Sequence, residues 1–535
     1  MYITSIPNRK SPPAILLRES QRVGKKVKTV TLSNITKWKP KRIEALRRAL
    51  KGEFDDFQNI IPTSGKIFGV LFVLKTLADR LGITKALKKS KLSELSLFLV
   101  LTRIAHQGSR LSAVRWSKNH AVEDLLGIDD FDEDDLYEAL DETAEQQEAI
   151  ELSLYQTHLK IANTPTSMVL YDVTSSYFEG TQNELAEYGY NRDGKKAKKQ
   201  IVIGLLTADN GEPLAVRVFK GNTSDCKTVA DQIDIIKNKY KIKEIIFVGD
   251  RGMIKSKGKK AITDEGFKYI SALTNPQLMK LIKKDVVQTD LFDQDIHEIE
   301  HDGKRLILRK NREVEKLKKH TRERNIKKLK ELMEERNKFV ASSKRAKPKT
   351  GLIKLQAWAK NRRMSKWVKL ELDDRKIVFE INQDELGQAS LLDGCYSMET
   401  NVDSSILDSK AVDKTYRSLQ QVERNFRNLK TNCLEVRPIF LRKSNRTKAH
   451  VLIAMLSLKI SRYIENKLHE EFGTTDDNSK NPTLEDALSA LSRITFLNYE
   501  IDGQQISRLT NPDDFQRKIL KALGIKFPKQ AKQIM

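Results

Sequence analysis

The chain is 535 residues long, more than one compact core usually holds, and this length predicts roughly three or four domains or subdomains. Its 97 lysines and arginines outnumber 72 aspartates and glutamates, which gives a net charge of +25 and favours a polyanionic partner over a membrane. The sequence has no apolar run long enough for a bilayer, no export signal and only three scattered cysteines, so we expect a cytoplasmic protein without a disulfide framework.

The first 160 residues read as a basic region followed by helices. Residues 1–63 predict a basic β-hairpin that turns at Gly24, and then a short helix. From 64 to 160 the apolar residues recur at helical spacing, which predicts a helical domain. Both segments are candidates for DNA base recognition, although neither contains a clear helix-turn-helix signature.

Short β-branched runs replace the helical pattern after residue 164. Three strands, a helix, and then a strand that alternates with helices follow the order of the ribonuclease-H-like α/β fold. We therefore expect an α/β protein with a mixed-sheet core, an insertion subdomain, and flanking N- and C-terminal helical regions. The expected boundaries are 161–284 and 376–445 for the two parts of the core, 285–375 for the basic insertion, and 446–535 for the C-terminal helical region.

Residues 297–301 read His-Glu-Ile-Glu-His and match the zinc-protease pattern HExxH. That chemistry needs a helix, which places the two histidines one turn apart on one face. Here the alternating hydrophobicity and the Asp302-Gly303 pair predict a β-hairpin instead. On a strand, His297 and His301 would lie roughly 13 Å apart, too far to share an ion. We therefore expect no zinc site at this motif.

Two aspartates follow apolar runs that read as strands. Asp172 ends "SMVLYD" and Asp250 ends "EIIFVGD". Aspartate is depleted within strands, and a carboxylate at a strand tip reaches the sheet edge where ligands bind. Each aspartate alone is equally well explained as the first residue of a turn. Together, on neighbouring strands, the two predict an oxygen-rich site for Mg²⁺.

A third carboxylate, Glu423, lies in the helical segment "YRSLQQVERNFRNLK". Intervals of seven residues place Tyr416, Glu423 and Lys430 on one stripe of a helix, with Gln420 and Arg427 beside it. An ordinary salt-bridged surface helix explains this face as well. A separate apolar stripe favours an active-site helix, because it would dock the helix on the sheet and direct Glu423 to the rim. That stripe consists of Leu419, Val422, Phe426 and Leu429.

With three acids in these positions, the sequence resembles the DDE transposases of bacterial insertion sequences. It is similar to the group that has a Tyr-x2-Arg-x3-Glu-x6-Lys signature and an insertion between the second aspartate and the glutamate. Here the signature reads Tyr416, Leu419, Glu423 and Lys430, so a leucine replaces the arginine. The resemblance spans about residues 165–445 and includes "LYDVTSSYFEG", "FVGDRGM", "DGCYSMETN" and "VERNFRNLKT".

The resemblance implies that Asp172, Asp250 and Glu423 form the catalytic and metal-binding set, with Mg²⁺ as cofactor and Mn²⁺ as a substitute. It also implies double-stranded DNA as the partner, at the element ends and the target, and a homodimer in the DNA complex. Such a protein would act on the nucleoid in the cytoplasm. The residues expected to contact DNA are Tyr416, Lys430, Arg424, Arg427, Lys199 and Gln200.

Some of these assignments keep an alternative. A solvated basic hairpin explains Lys199 and Gln200 equally well. Arg417, Arg424 and Arg427 are the candidates to supply the charge that is missing at the signature arginine. The lysine-rich insertion is expected to follow the DNA backbone, and a solvated charged arm is its alternative reading.

The expected function is DNA strand cleavage at the ends of an insertion sequence, followed by strand transfer into target DNA. One alternative is a transposase-derived protein that binds DNA without chemistry, and the retained acids argue against it. Another is a metal-dependent nuclease that cuts without strand transfer, which the sequence does not separate from a transposase.

Overall fold

The chain begins with a small antiparallel sheet and continues as a helical array. The computed structural model describes residues 1–9, 11–53, 61–162, 168–180, 182–190, 192–195, 197–239, 245–250, 252–293, 295–431, 434, 436, 439–473, 481–501 and 504–528. The first elements are β1 (Tyr2–Ile6), β2 (Ala14–Val23), β3 (Lys26–Asn34), α1 (Pro40–Leu50), β4 (Ile61–Ile67), α2 (Gly69–Arg80), α3 (Ile83–Ala86), α4 (Lys91–Ala105), α5 (Arg110–Ser117), α6 (Val122–Leu126), α7 (Glu133–Glu145) and α8 (Gln147–Ala162). The predicted hairpin is confirmed, because β2 and β3 pair antiparallel around Gly24, whose φ of +66° suits glycine.

A mixed sheet forms the central layer. Its first part comprises β5 (Met168–Tyr177), β6 (Gln200–Ala208), β7 (Pro213–Lys220), α9 (Asp225–Asp234), β8 (Ile246–Gly249), α10 (Ser256–Asp264), β9 (Lys268–Ala272) and α11 (Asn275–Lys283). The spatial order is β7-β6-β5-β8-β9; β5, β6 and β7 pair antiparallel, whereas β8 and β9 run parallel to β5. This order and these directions define a ribonuclease-H-like core, so the predicted fold class is confirmed.

The next part of the chain widens the sheet and adds a separate cluster. Its elements are β10 (His297–His301), β11 (Lys304–Lys310), α12 (Arg312–Ser342), α13 (Pro348–Asn361), β12 (Val368–Asp373), β13 (Lys376–Ile381), α14 (Gln383–Ser390) and β14 (Cys395–Thr400). Strands β14, β11 and β10 continue the central sheet beyond β9. The two long helices pack with the β12–β13 hairpin around a small core of their own. Because Asp373 pairs with Lys376, the boundary expected at 375/376 falls inside that hairpin.

The HExxH motif lies on a strand, as predicted. Strand β10 pairs antiparallel with β11, so that His297 faces Leu308 and His301 faces Lys304. Asp302 and Gly303 both have positive φ, at 50° and 66°, which is the backbone of a tight hairpin turn. The alternating hydrophobicity of this segment therefore correctly predicted a strand rather than a helix.

Five helices, one of them long and buried, and a two-stranded hairpin complete the described part of the fold. The last elements are α15 (Ser409–Arg417), α16 (Leu419–Lys430), α17 (Ser444–Phe472), α18 (Leu484–Ser492), β15 (Thr495–Ile501), β16 (Gln504–Leu509) and α19 (Asp514–Ala522). Helix α17 is buried over most of its length and packs on α4 and α7. Within the described ranges, no helix has the length and apolar character that a bilayer crossing requires. Strand β15 pairs with β4, which joins the region after α18 to the start of the helical array.

Candidate active site

Two of the predicted acids lie side by side on parallel strands. Tyr171 of β5 is in register with Gly249, the last residue of β8, so Asp172 and Asp250 occupy the next positions on the two chains. Asp250 follows its strand directly, as predicted. The prediction that Asp172 ends its strand is wrong. Strand β5 continues to Tyr177 because its other edge stays paired with β6. The site therefore forms where β8 ends and β5 runs on.

The carboxyl of Asp172 is held in an unfavourable place for a negative charge. Burial raises the pKa of this group to about 7, and the neighbouring carboxylates of Asp250 and Glu423 act in the same direction. Two groups oppose them: the backbone N–H of Val173, which donates to Asp172 Oδ1 at 2.8 Å, and the guanidinium of Arg192. Asp250 and Glu423 thus both lie close enough to Asp172 to repel its charge.

Glu423 reaches this region on a helix that docks by its apolar side. Val422, Phe426 and Leu429 are buried, and α16 packs against β5. Glu423 is exposed on the opposite side. The predicted apolar stripe is confirmed, although the segment forms two helices that meet at Ser418 rather than one.

Tyr416 lies at the end of the first of these helices, next to the acids. Its hydroxyl is 3.5 Å from Asp250 Oδ1, the outer limit of a hydrogen bond. The position of the missing arginine, Leu419, is partly buried and packs against the main hydrophobic core. The leucine therefore serves as packing in this chain.

The other cations of the segment differ in their surroundings. Lys430 donates to Asp193 at 2.9 Å, and both side chains are nearly buried. Arg424 is paired with Glu465 at 3.2 Å but is largely exposed. Arg417 pairs with the fully buried Asp413 at 2.7 Å. Arg427 is exposed on α16.

Of the two residues predicted at the start of β6, only one reaches solvent. Lys199 is partly exposed, and its ammonium lies 5.9 Å from the centre of the Tyr188 ring. Gln200 is only 1% exposed, and its amide nitrogen donates to the carbonyls of Tyr190 and Gly221. The protein encloses this side chain, which does not favour the predicted contact of Gln200 with DNA.

Arg192 and Asp225 belong to the site, although the sequence reading missed them. Arg192 donates to both carboxylate oxygens of Asp225, at 2.8 and 2.7 Å. A Cβ on Gly252 would lie 3.8 Å from Asp250 Oδ2 and 3.9 Å from Asp225 Oδ2, so the two acids flank one glycine. The clue in the sequence is an arginine within the charged loop before β6 and an aspartate at the start of α9, but their pairing is a tertiary feature.

The donor set suits a divalent cation in its chemistry. Carboxylate oxygens are the ligands that Mg²⁺ prefers. A bound cation would offset both the burial and the repulsion by Asp250 and Glu423 that raise the pKa of Asp172. In the part of the chain that the structure describes, however, no three His, Cys, Asp or Glu side chains are already grouped closely enough to hold an ion. Ion binding would therefore require the carboxylates to draw together.

Comparison with known proteins shows the family of the chain. The sequence pattern of the transposase DDE domain matches residues 163–460, more than half of the chain. The chain belongs to this family of DNA transposases. No curated protein matches it. Among solved structures it is similar to the piggyBac transposase in a synaptic complex with hairpin DNA, with 9% identity, a TM-score of 0.36, and coverage of 79% of this chain and 76% of that one.

Proposed function

We propose that this chain is the transposase of a bacterial insertion sequence, one that carries a variant Tyr-Arg-Glu-Lys signature. In this proposal it cuts DNA at the ends of its element and joins the freed 3′-hydroxyls to target DNA. The main support is the adjacency of Asp172 and Asp250 on parallel strands, with Glu423 close enough to raise the pKa of Asp172. In a chain of the DDE transposase family, these acids are the natural catalytic set.

The three carboxylates would hold Mg²⁺, or Mn²⁺ in its place. A bound ion supplies positive charge that stabilises the phosphate in the transition state. In cleavage, a water oxygen bonds to the scissile phosphorus and the bond from phosphorus to the 3′-oxygen breaks, so that this oxygen leaves as a hydroxyl and takes a proton. In joining, the 3′-oxygen bonds to a target phosphorus and displaces the 3′-oxygen of that phosphate.

The other side chains would position DNA. Tyr416 stands beside Asp250 and could donate its hydroxyl to a phosphate at the cut. Arg424 and Arg427 are exposed on the helix that carries Glu423, where they would bind flanking phosphates. Lys199 would do the same from the start of β6. Lys430 would act through its bond to Asp193, as a positioning residue.

The rest of the chain fits the same proposal. The basic helices α12 and α13 would follow the DNA backbone, since a stripe of lysines and arginines binds phosphates regardless of sequence. Two copies would act together as a homodimer on nucleoid DNA in the cytoplasm. The chain would divide into an N-terminal basic region, a helical domain, a split core with an insertion that includes the whole β12–β13 hairpin, and a C-terminal helical region.

The test incubates the full chain with Mg²⁺ and duplexes that carry the inverted repeats flanking its gene. Nicking and joining are expected, and Asp172→Asn or Glu423→Gln should reduce both by about 10³-fold or more. Glu138→Gln removes an exposed carboxylate on α7 and serves as the control, with no expected loss. Nicking without joining would indicate a nuclease, and binding without cleavage would indicate an inactive DNA-binding protein. Full activity in the acid variants would overturn the assignment of the site.

A further inference from the structure

The N-terminal hairpin extends beyond the sheet that carries it. Strand β1 pairs only with Ala14 to Arg18 of β2. From Glu19 to the turn, β2 pairs with β3 alone, so that residues 19–23 and 26–30 form a two-stranded ribbon. Every residue of β3 is exposed, as is β2 from Ser20 onward. This ribbon therefore shows both of its faces to solvent.

The size of the ribbon suits the major groove of DNA. Five residue pairs at roughly 3.4 Å per residue give a projection of about 17 Å. The major groove of B-DNA is about 12 Å wide and admits a two-stranded β-ribbon. An exposed ribbon of this kind is otherwise a liability, because free strand edges pair with other chains.

The charge of the ribbon points to DNA as its occupant. Residues 14–34 carry five basic side chains and one acidic side chain, Glu19. The basic residues are Arg18, Arg22, Lys25, Lys26 and Lys28. Helix α1, which follows the sheet, has Arg47 and Arg48 in its last turn, where they pair with Glu44 and Glu53. A second copy of this basic surface would be repelled, whereas a polyanion such as DNA is attracted.

The side chains of the ribbon can also discriminate bases. Opposed residues share a face, so Arg22 lies with Val27 on one face and Gln21 lies with Lys28 on the other. Arginine, lysine and glutamine are the side chains that read guanine and adenine edges in the major groove. The exposed Val27 offers an apolar contact for a thymine methyl group. Both faces thus combine hydrogen-bond donors with apolar surface.

We propose that the ribbon, residues 19–30, lies in the DNA major groove and reads the sequence at the ends of the element. This inference rests on the proposed function, because it names the segment that recognises those ends. Phosphate contacts from the basic residues at the turn would hold the ribbon in place, and the side chains of Gln21, Arg22 and Lys28 would supply the discrimination.

The binding test uses the full-length Asp172→Asn protein, so that DNA stays uncut. Fluorescence anisotropy measures affinity for a duplex from the flanking inverted repeat and for a shuffled duplex of equal composition, over a salt series. Arg22→Ala/Lys28→Ala should weaken binding to the native end by about 10- to 100-fold and weaken binding to the shuffled duplex much less. Lys518→Ala/Lys526→Ala removes two exposed charges near the C-terminus and should keep the preference. An unchanged preference in the ribbon variant, or equal losses on both duplexes, would overturn the inference.

Chemical footprinting tests the choice of groove. Dimethyl sulfate modifies guanine N7 in the major groove and adenine N3 in the minor groove. The ribbon should protect guanine N7 in the native end, and the ribbon variant should lose that protection. Protection of adenine N3 alone would overturn the proposed groove.

A cleavage assay keeps this inference separate from the proposed function. With the acids intact, the ribbon variant should still nick DNA in Mg²⁺ but without preference for the native end. Preferred cutting of the native end by that variant would refute the ribbon proposal alone. Absence of cutting by the unaltered chain on any duplex would refute the proposed function.

Discussion

Lys430 donates to Asp193 at 2.9 Å, and this ion pair connects the end of α16 to the loop before β6. The pair is largely shielded from solvent, because the side chain of Lys430 is 11% exposed and that of Asp193 is 5% exposed. Asp193 also accepts from the backbone N–H of Tyr177, the last residue of β5, at 3.2 Å. The signature lysine therefore helps to fix the helix that carries Glu423.

Removal of Lys430 should destabilise the protein. Lys430→Ala leaves Asp193 buried without its cation, and we expect a loss of about 3 kcal/mol or more in the free energy of unfolding. Urea denaturation measures this loss. Lys430→Ala/Asp193→Asn should recover part of it, because the uncompensated charge is gone.

Arg424→Ala is the matched control for that experiment. The Arg424 side chain in its pair with Glu465 is 61% exposed, so a loss below about 1 kcal/mol is expected. If Lys430→Ala left stability unchanged and weakened DNA binding instead, Lys430 would be a DNA contact, as the signature implied.

Asp172 should make the stability of the metal-free protein depend on pH. Its pKa is raised from 3.8 to about 7, so the folded state holds a proton that the unfolded state releases. Stability from this group is therefore greatest at low pH and falls as pH rises from about 4 to 7. Asp172→Asn should remove the effect and stabilise the protein at pH 8, by up to about 4 kcal/mol.

Thermal denaturation in EDTA between pH 5 and pH 8 tests this expectation. The result is the difference in melting temperature between Asp172→Asn and the unaltered chain at each pH, since other groups titrate in both proteins. Glu138→Gln should follow the unaltered chain. If the melting temperatures of Asp172→Asn and the unaltered chain changed equally with pH, burial would not protonate Asp172.

Mg²⁺ should offset the destabilisation that the buried carboxylate of Asp172 causes. A metal ligand must be deprotonated, so Mg²⁺ binding at pH 6.5 should release protons and raise the melting temperature. The Asp172→Asn protein should show a much smaller rise and little proton release. Calorimetry in two buffers of different ionisation enthalpy measures the protons. Equal responses of the two proteins would place the ion elsewhere.

The sequence predicted what depends on local patterns and missed what depends on distant contacts. Alternation identified the β10–β11 hairpin, and the end of an apolar run placed Asp250 after β8. The same rule misplaced Asp172, because pairing with β6 continues β5 through a residue that rarely occurs in strands. The bond between Lys430 and Asp193 joins residues 237 positions apart, and no local pattern indicates it.

Arg192 should set the pH range in which the site works. The Arg192 guanidinium lowers the pKa of Asp172. Asp225 holds this guanidinium in place by accepting two hydrogen bonds from it. Arg192→Ala should therefore shift the rise of Mg²⁺-dependent cleavage to higher pH, by up to roughly one unit. Lys220→Ala removes an exposed charge at the end of β7 and should leave the pH profile in place. A lower rate with an unshifted profile would indicate that Arg192 binds DNA or supports the fold only.

Restoring the signature arginine at Leu419 should harm this chain. Leu419 packs against the main core, so Leu419→Arg removes apolar contacts and should cost about 1–3 kcal/mol in the free energy of unfolding. Leu419→Met keeps the apolar volume and should cost less. We expect affinity for the element end to stay unchanged in both variants, and Arg427→Ala to lower it, because Arg427 is exposed where a phosphate could bind. Tighter DNA binding by a fully stable Leu419→Arg protein would show instead that this position faces the DNA.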